Sequence, residues 1–120
     1  MRWSHPKGHQ RAGRFIEACL LSLLQEKSSY GYGLLEQLLA FGFDEQEIPM
    51  SLVYRNLRAM ESEGLVTSSW SQSDAGPDKK MYAITQKGKE ELRKWIVLLK
   101  ERKKRIELII QRCENQGKEQ

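Results

Sequence analysis

The chain has 120 residues, 39% of them hydrophobic and 30% charged, which suits one domain with a modest core and excludes two catalytic lobes around a cleft. Lys and Arg number 20 against 16 Asp and Glu, a net charge of +4 that is compatible with nucleic acid without demanding it. The longest apolar stretch, residues 18–24, is broken by Ser22 and preceded by Glu17. It is far shorter than the ~20 residues that span a bilayer and has no signal-peptide pattern, so a cytoplasmic protein without membrane contact is expected.

Residues 1–13 are polar, carry Pro6 and Gly8, and read as a flexible basic arm. His5 and His9, four apart, would face together on a helix and could hold a metal, but Pro6 and Gly8 argue against a helix there. Residues 15–25 form the first predicted helix, with Phe15, Ile16, Cys19, Leu20, Leu23 and Leu24 at helical spacing. Ala18 and Leu21 make it apolar on a second side, so it needs two covers, and a second subunit is the economical choice for one of them.

Ser28 and Ser29 resemble an N-cap for the next helix, which runs through Leu34, Leu35, Leu38 and Leu39 and stops at Gly42. Gly31 and Gly33 in its first turn cost about 1 kcal/mol each relative to Ala, which makes sense if a backbone or a phosphate comes close. Pro49 opens a third helix. Val53, Leu57 and Met60 form its inner face, and Ser51, Arg55, Arg58 and Ser62 its outer face, before Gly64 ends it. Residues 65–71 and 80–85 have strand-like content around a turn-rich segment, 72–79, and so predict a β-hairpin.

Thr85 caps the last predicted helix, with Gly88 a weak point in its first turn. Leu92, Leu99, Ile106 and Cys113 recur every seven residues, with Trp95 or Ile96 and Ile109 or Ile110 between them. A helix to about Cys113 would be ~42 Å long, more than so small a domain can cover, and should pair with another chain. The fold class is therefore mainly α with a small β-hairpin: a winged helix-turn-helix plus a long C-terminal dimerisation helix. The expected divisions are the arm at 1–13, the winged domain at 14–85, the dimerisation helix at 86–115 and a disordered tail at 116–120.

Charge is sign-separated along the chain: basic over residues 1–14, acidic over 15–48, balanced over 49–85 and basic over 86–105. The third helix would be the reader, with Ser51, Tyr54, Arg55 and Arg58 outward toward a major groove. Arginine can donate two hydrogen bonds to guanine, so Arg55 and Arg58 are candidates for base contact. Ser51 and Asn56 could hold phosphates or cap locally. Lys79 and Lys80, at the end of the wing, can approach phosphates or a narrow minor groove, although Asp78 opposes this.

Residues 14–24 (RFIEACLLSLL), 29–35 (SYGYGLL), 53–66 (VYRNLRAMESEGLV), 69–70 (SW) and 76–88 (GPDKKMYAITQKG) together resemble the PadR family of bacterial transcriptional regulators, in its short form with one C-terminal helix. The resemblance implies a homodimeric repressor on an inverted-repeat double-stranded DNA operator, with a small aromatic or amphiphilic effector as a further partner. It matches Tyr54 and Arg55 to the reader motif, Lys80 to the basic wing position, and Tyr30 and Tyr32 to the second-helix motif, with Tyr30 joining the DNA-contacting set. It packs the C-terminal helix on the partner's first helix, through Phe15, Leu20, Leu24, Leu92, Trp95, Leu99, Ile106 and Ile110. Gly33, Asp78, Lys79 and Met81 depart from the family pattern.

The rival reading is a winged-helix adaptor that binds protein rather than DNA; Arg55, Arg58 and the basic ends disfavour it. An enzyme is not expected. Cys19, Cys113 and Ser51 read better as core or cap residues than as nucleophiles, and no cofactor, metal or disulfide is expected. Trp95 could stack on a flat ligand, but reads better as a packing residue.

Overall fold

The computed structural model describes residues 6–71 and 79–118, with the side chains of 15–71 and 79–117. Four helices and three strands follow in the order α1 (Pro6–Glu26), β1 (Ser29–Tyr30), α2 (Gly31–Leu39), α3 (Met50–Ser62), β2 (Val66–Ser71), β3 (Lys79–Ile84) and α4 (Gln86–Lys118). The three-helix core with its hairpin is a winged helix-turn-helix, and α4 extends from it to give a molecule 65 × 28 × 28 Å.

The first departure from expectation is at the start. Pro6 opens α1 instead of preventing it. Proline is tolerated at the first helical position, where its missing N–H has no intrahelical partner and its φ is already helical. The flexible arm drawn over residues 1–13 is therefore corrected to helix from Pro6 onward; residues 1–5, with His5, and the side chain of His9 lie outside the described residues. Likewise α4 runs through Lys118, into the tail drawn at 116–120.

Helix α1 is the centre of the core. Ile16, Ala18, Cys19, Leu20, Leu21, Leu23 and Leu24 are all buried. Its covers come from the same chain, since α2, α3, β3 and the start of α4 all pack on it. The second cover predicted to be a partner subunit is thus supplied within the protomer. Leu20 and Leu24, expected at a dimer interface, are 0% and 2% exposed here, so no further area remains for a partner to bury.

Ser29 does not cap α2. It is a buried residue of β1, which pairs antiparallel with β3 (Ser29 with Tyr82, Tyr30 with Met81) and makes the sheet three-stranded in the order β1-β3-β2. The helix instead begins after Tyr30, whose extended backbone provides the N-cap without a side-chain hydrogen bond. The hairpin pairs Val66 with Ile84 through to Ser71 with Lys79; its tip, with Asp78, lies outside the described residues.

Helix α3 ends in a Schellman motif. Gly64 takes φ +80°, its N–H reaches Glu61 O at 3.0 Å, and Leu65 N–H reaches Met60 O at 2.8 Å. Thr85 then joins this end to the start of α4. Its hydroxyl accepts the Gly88 N–H at 3.0 Å and faces the carbonyls of Gly64 and Leu65 at 2.6 and 3.0 Å. Gly88, expected to be a weak point, is required by this junction: a Cβ there would run into the Leu65 carbonyl and Ile84.

Candidate nucleic-acid interface

The 3.6-residue period of α3 divides its side chains between core and solvent. Val53, Leu57 and Met60 are buried at 0–1% exposure and hold the helix on the domain. Ser51, Tyr54, Arg55 and Arg58 share the exposed face, as expected. Asn56 is spent locally, its side-chain amide donating to Leu52 O at 2.9 Å, so of the two phosphate candidates on this helix only Ser51 is exposed.

Tyr54 is placed by α2. Its ring lies over Gly31, where a Cβ would sit 2.8 Å from Cε1. Glycine at 31 therefore lets α2 and α3 approach with an aromatic ring between them. Gly33 plays a smaller part of the same kind, facing the Ser29 hydroxyl.

The wing lysines have different neighbours. Lys80 lies opposite Trp70 and has its Nζ 5.8 Å from the Trp70 ring centre, 5.9 Å from that of Tyr82, and 3.8 Å from Glu61 Oε1. Lys79 instead has its Nζ 5.6 Å from the Tyr30 ring, and both lysines border the space between the wing and α2. Tyr30 in turn donates its hydroxyl to Ser71 Oγ at 3.2 Å. Glu61 clasps the wing to α3, because Ser68 Oγ donates to its other oxygen at 2.6 Å. Burial, with the nearby Glu61, raises the Tyr82 hydroxyl above its ordinary pKa and keeps it neutral beside these charges. Glu61 is a residue that sequence reasoning missed; its distance of seven positions from Ser68, across a helix end and a turn, carries no periodic signal.

The residues predicted for dimerisation fall into two groups. Leu92 and Trp95 are buried in their own protomer, against α1. Trp95 is 7% exposed and its indole N–H donates to the buried Glu17 carboxylate at 2.9 Å, the surroundings of a packing residue. Leu99 is half-buried, while Phe15, Ile106 and Ile110 are exposed. Phe15 meets Phe43 edge-on, with ring centres 6.1 Å apart.

Residues 20–94 match the transcriptional regulator PadR-like family. The chain belongs to that family. It is 36% identical over 80 residues to a probable transcriptional regulator of Mycobacterium tuberculosis, an alignment covering 66% of this chain and 41% of that longer protein. A PadR-like transcriptional regulator from Bacillus cereus superposes with a TM-score of 0.69 at 28% identity, over 80% of this chain and 91% of the other. Bacillus subtilis PadR in complex with operator DNA superposes with a TM-score of 0.62 at 26% identity, over 70% and 48%. Among the described residues of this chain no helix is long and apolar enough to cross a membrane, and no group of three or more His, Cys, Asp or Glu could hold a metal.

Proposed function

We propose that the protein is a homodimeric repressor that places α3 of each protomer in the major groove of an inverted-repeat operator. The observation that carries this reading is the composition of the exposed face of α3, Ser51, Tyr54, Arg55 and Arg58, beside a wing that presents Lys79 and Lys80. Arg55 lies nearer the helix N-terminus, the end that enters the groove in most helix-turn-helix proteins, and is assigned to bases. Arg58, Lys79, Lys80, Ser51 and Tyr30 are assigned to the DNA backbone. Dimerisation uses the exposed apolar part of α4. A small aromatic or amphiphilic effector would release the operator from a site other than Trp95, whose ring and N–H are already engaged.

The test is competition binding with single-base variants of an operator selected from random DNA. Arg55→Ala should cost about 1–3 kcal/mol and relax preference at one position per half-site, whereas Arg58→Ala should weaken all sequences alike. With ~6–8 phosphate contacts per dimer, the log–log dependence of affinity on salt should have a slope of roughly −5 to −7. A flat salt dependence, or full affinity in both variants, would refute the reading.

A further inference from the structure

Beside the reader helix, α2, α3 and the wing enclose an open recess of about 740 Å³, within the size range of small-molecule sites. Two of its lining rings are unexpectedly bare: Tyr32 is 66% exposed and Trp70 is 67% exposed. Tyr54, exposed on α3, adds aromatic surface, and Gly31 contributes no side chain that would fill it. Arg58, Lys79 and Lys80 line the same recess.

Paired duplex DNA accounts for the cations, and for tyrosine hydroxyls that can meet phosphates, but not for the exposed indole face of Trp70. Bases in a duplex are stacked on one another and offer only their edges to a protein in the groove, so exposed aromatic faces have nothing to stack on. Proteins that hold unpaired nucleotides combine these two elements, an aromatic face for the base and a cationic path for the phosphate. We infer that the recess between α2, α3 and the wing is a binding site for an unstacked nucleotide, its base on the rings of Tyr32 and Trp70 and its phosphate on Lys79, Lys80 and Arg58. Among the described residues the one carboxylate in the lining is Glu36, on α2, so the phosphate belongs at the opposite, β3 side. Lys80 is available to it: its ion pair with Glu61, at 3.8 Å, is longer than a hydrogen bond and about one-third exposed on each side.

The nucleotide can be free or an extrahelical residue of bound DNA; the chemistry is the same. The inference rests on the proposed function in assigning the three cations to phosphate. A free nucleotide would compete with the operator for them.

The experiment is calorimetric titration of the full chain with adenosine monophosphate, adenosine and inorganic phosphate, alongside affinities for a fully paired operator and for the same duplex with one unpaired adenosine. Adenosine monophosphate should bind at least tenfold more tightly than either fragment and displace the paired operator if the free nucleotide is the occupant. A tenfold preference for the bulged duplex identifies the DNA-borne one. Trp70→Ala and Tyr32→Ala should each lower nucleotide or bulge affinity at least fivefold and change paired-duplex affinity less than twofold. Both side chains are two-thirds exposed, so the fold should persist. The inference is overturned if the monophosphate does not bind and the bulge is not preferred, or if both variants bind as wild type. Loss of paired-duplex binding by the wild-type chain overturns the proposed function separately.

Discussion

Two parts of one helix behave differently. The proximal turns of α4 send Leu92 and Trp95 into their own domain, against α1 and the Glu17 carboxylate. The distal turns carry the same apolar period into solvent, with Ile106, Ile109 and Ile110 at 48–61% exposure. A seven-residue repeat records which face of a helix is apolar. It does not record whether the cover comes from the same chain or from another one. The distal face, on a helix of 33 residues, has no cover among the described residues of its own chain.

Substitutions should separate the two parts. Trp95→Ala should cost about 3–5 kcal/mol of stability in chemical denaturation, because it opens a cavity and takes a donor from a buried carboxylate. Trp95→Phe, which keeps most of the volume, should recover most of that loss; equal losses would mean that the hydrogen bond dominates. Gly88→Ala, at the same end, should cost about 1–3 kcal/mol as the junction with Leu65 is forced apart. The distal pair Ile106→Asp with Ile110→Asp should leave denaturation of the protomer within about 0.5 kcal/mol and convert dimer to monomer in sedimentation equilibrium. If that variant unfolds instead, the two parts are not independent.

The cysteines give the smallest and finest distinction. Burial pushes the Cys19 thiol from its ordinary value near 9 up to about 11, while Cys113 is exposed on distal α4. In the monomeric variant one thiol per chain, Cys113, should react quickly with a disulfide reagent and Cys19 only on unfolding. Unfolding frees Cys19 to ionise at its ordinary value. Its contribution to stability is therefore complete below pH 9 and is lost as pH rises from 9 to about 11. A melting temperature followed over that interval should fall, and fall less in Cys19→Ala once corrected for its lower starting value.

Helix α3 was legible because its two faces contrast in chemistry as well as in period. Val53, Leu57 and Met60 went in, and Ser51, Tyr54, Arg55 and Arg58 stayed out, as their spacing requires. Where chemistry is uniform around a helix, as in α1, spacing cannot tell a cover from the same chain, such as that over Leu20 and Leu24, from a partner's. A strand of two residues such as Ser29–Tyr30 is too short for alternation to register. Gly88 carries no signal of need, because what excludes a side chain there is the carbonyl of Leu65, 23 positions away in the chain. The wing cluster of Glu61, Ser68, Lys80 and Tyr82 is hidden for the same reason.

The Thr85 junction has a mechanical consequence. The hydroxyl that starts α4 is bonded at the end of α3, Thr85 N–H reaches Leu65 O at 3.0 Å, and Lys87 Nζ donates to Glu63 O at 2.8 Å across the same joint. No slack separates α3 from α4. The two behave as a bent lever with Thr85 at the elbow. In the proposed dimer, a few degrees of change in how the two arms cross would swing the paired α3 helices apart or together, and that distance is what an inverted-repeat operator would measure.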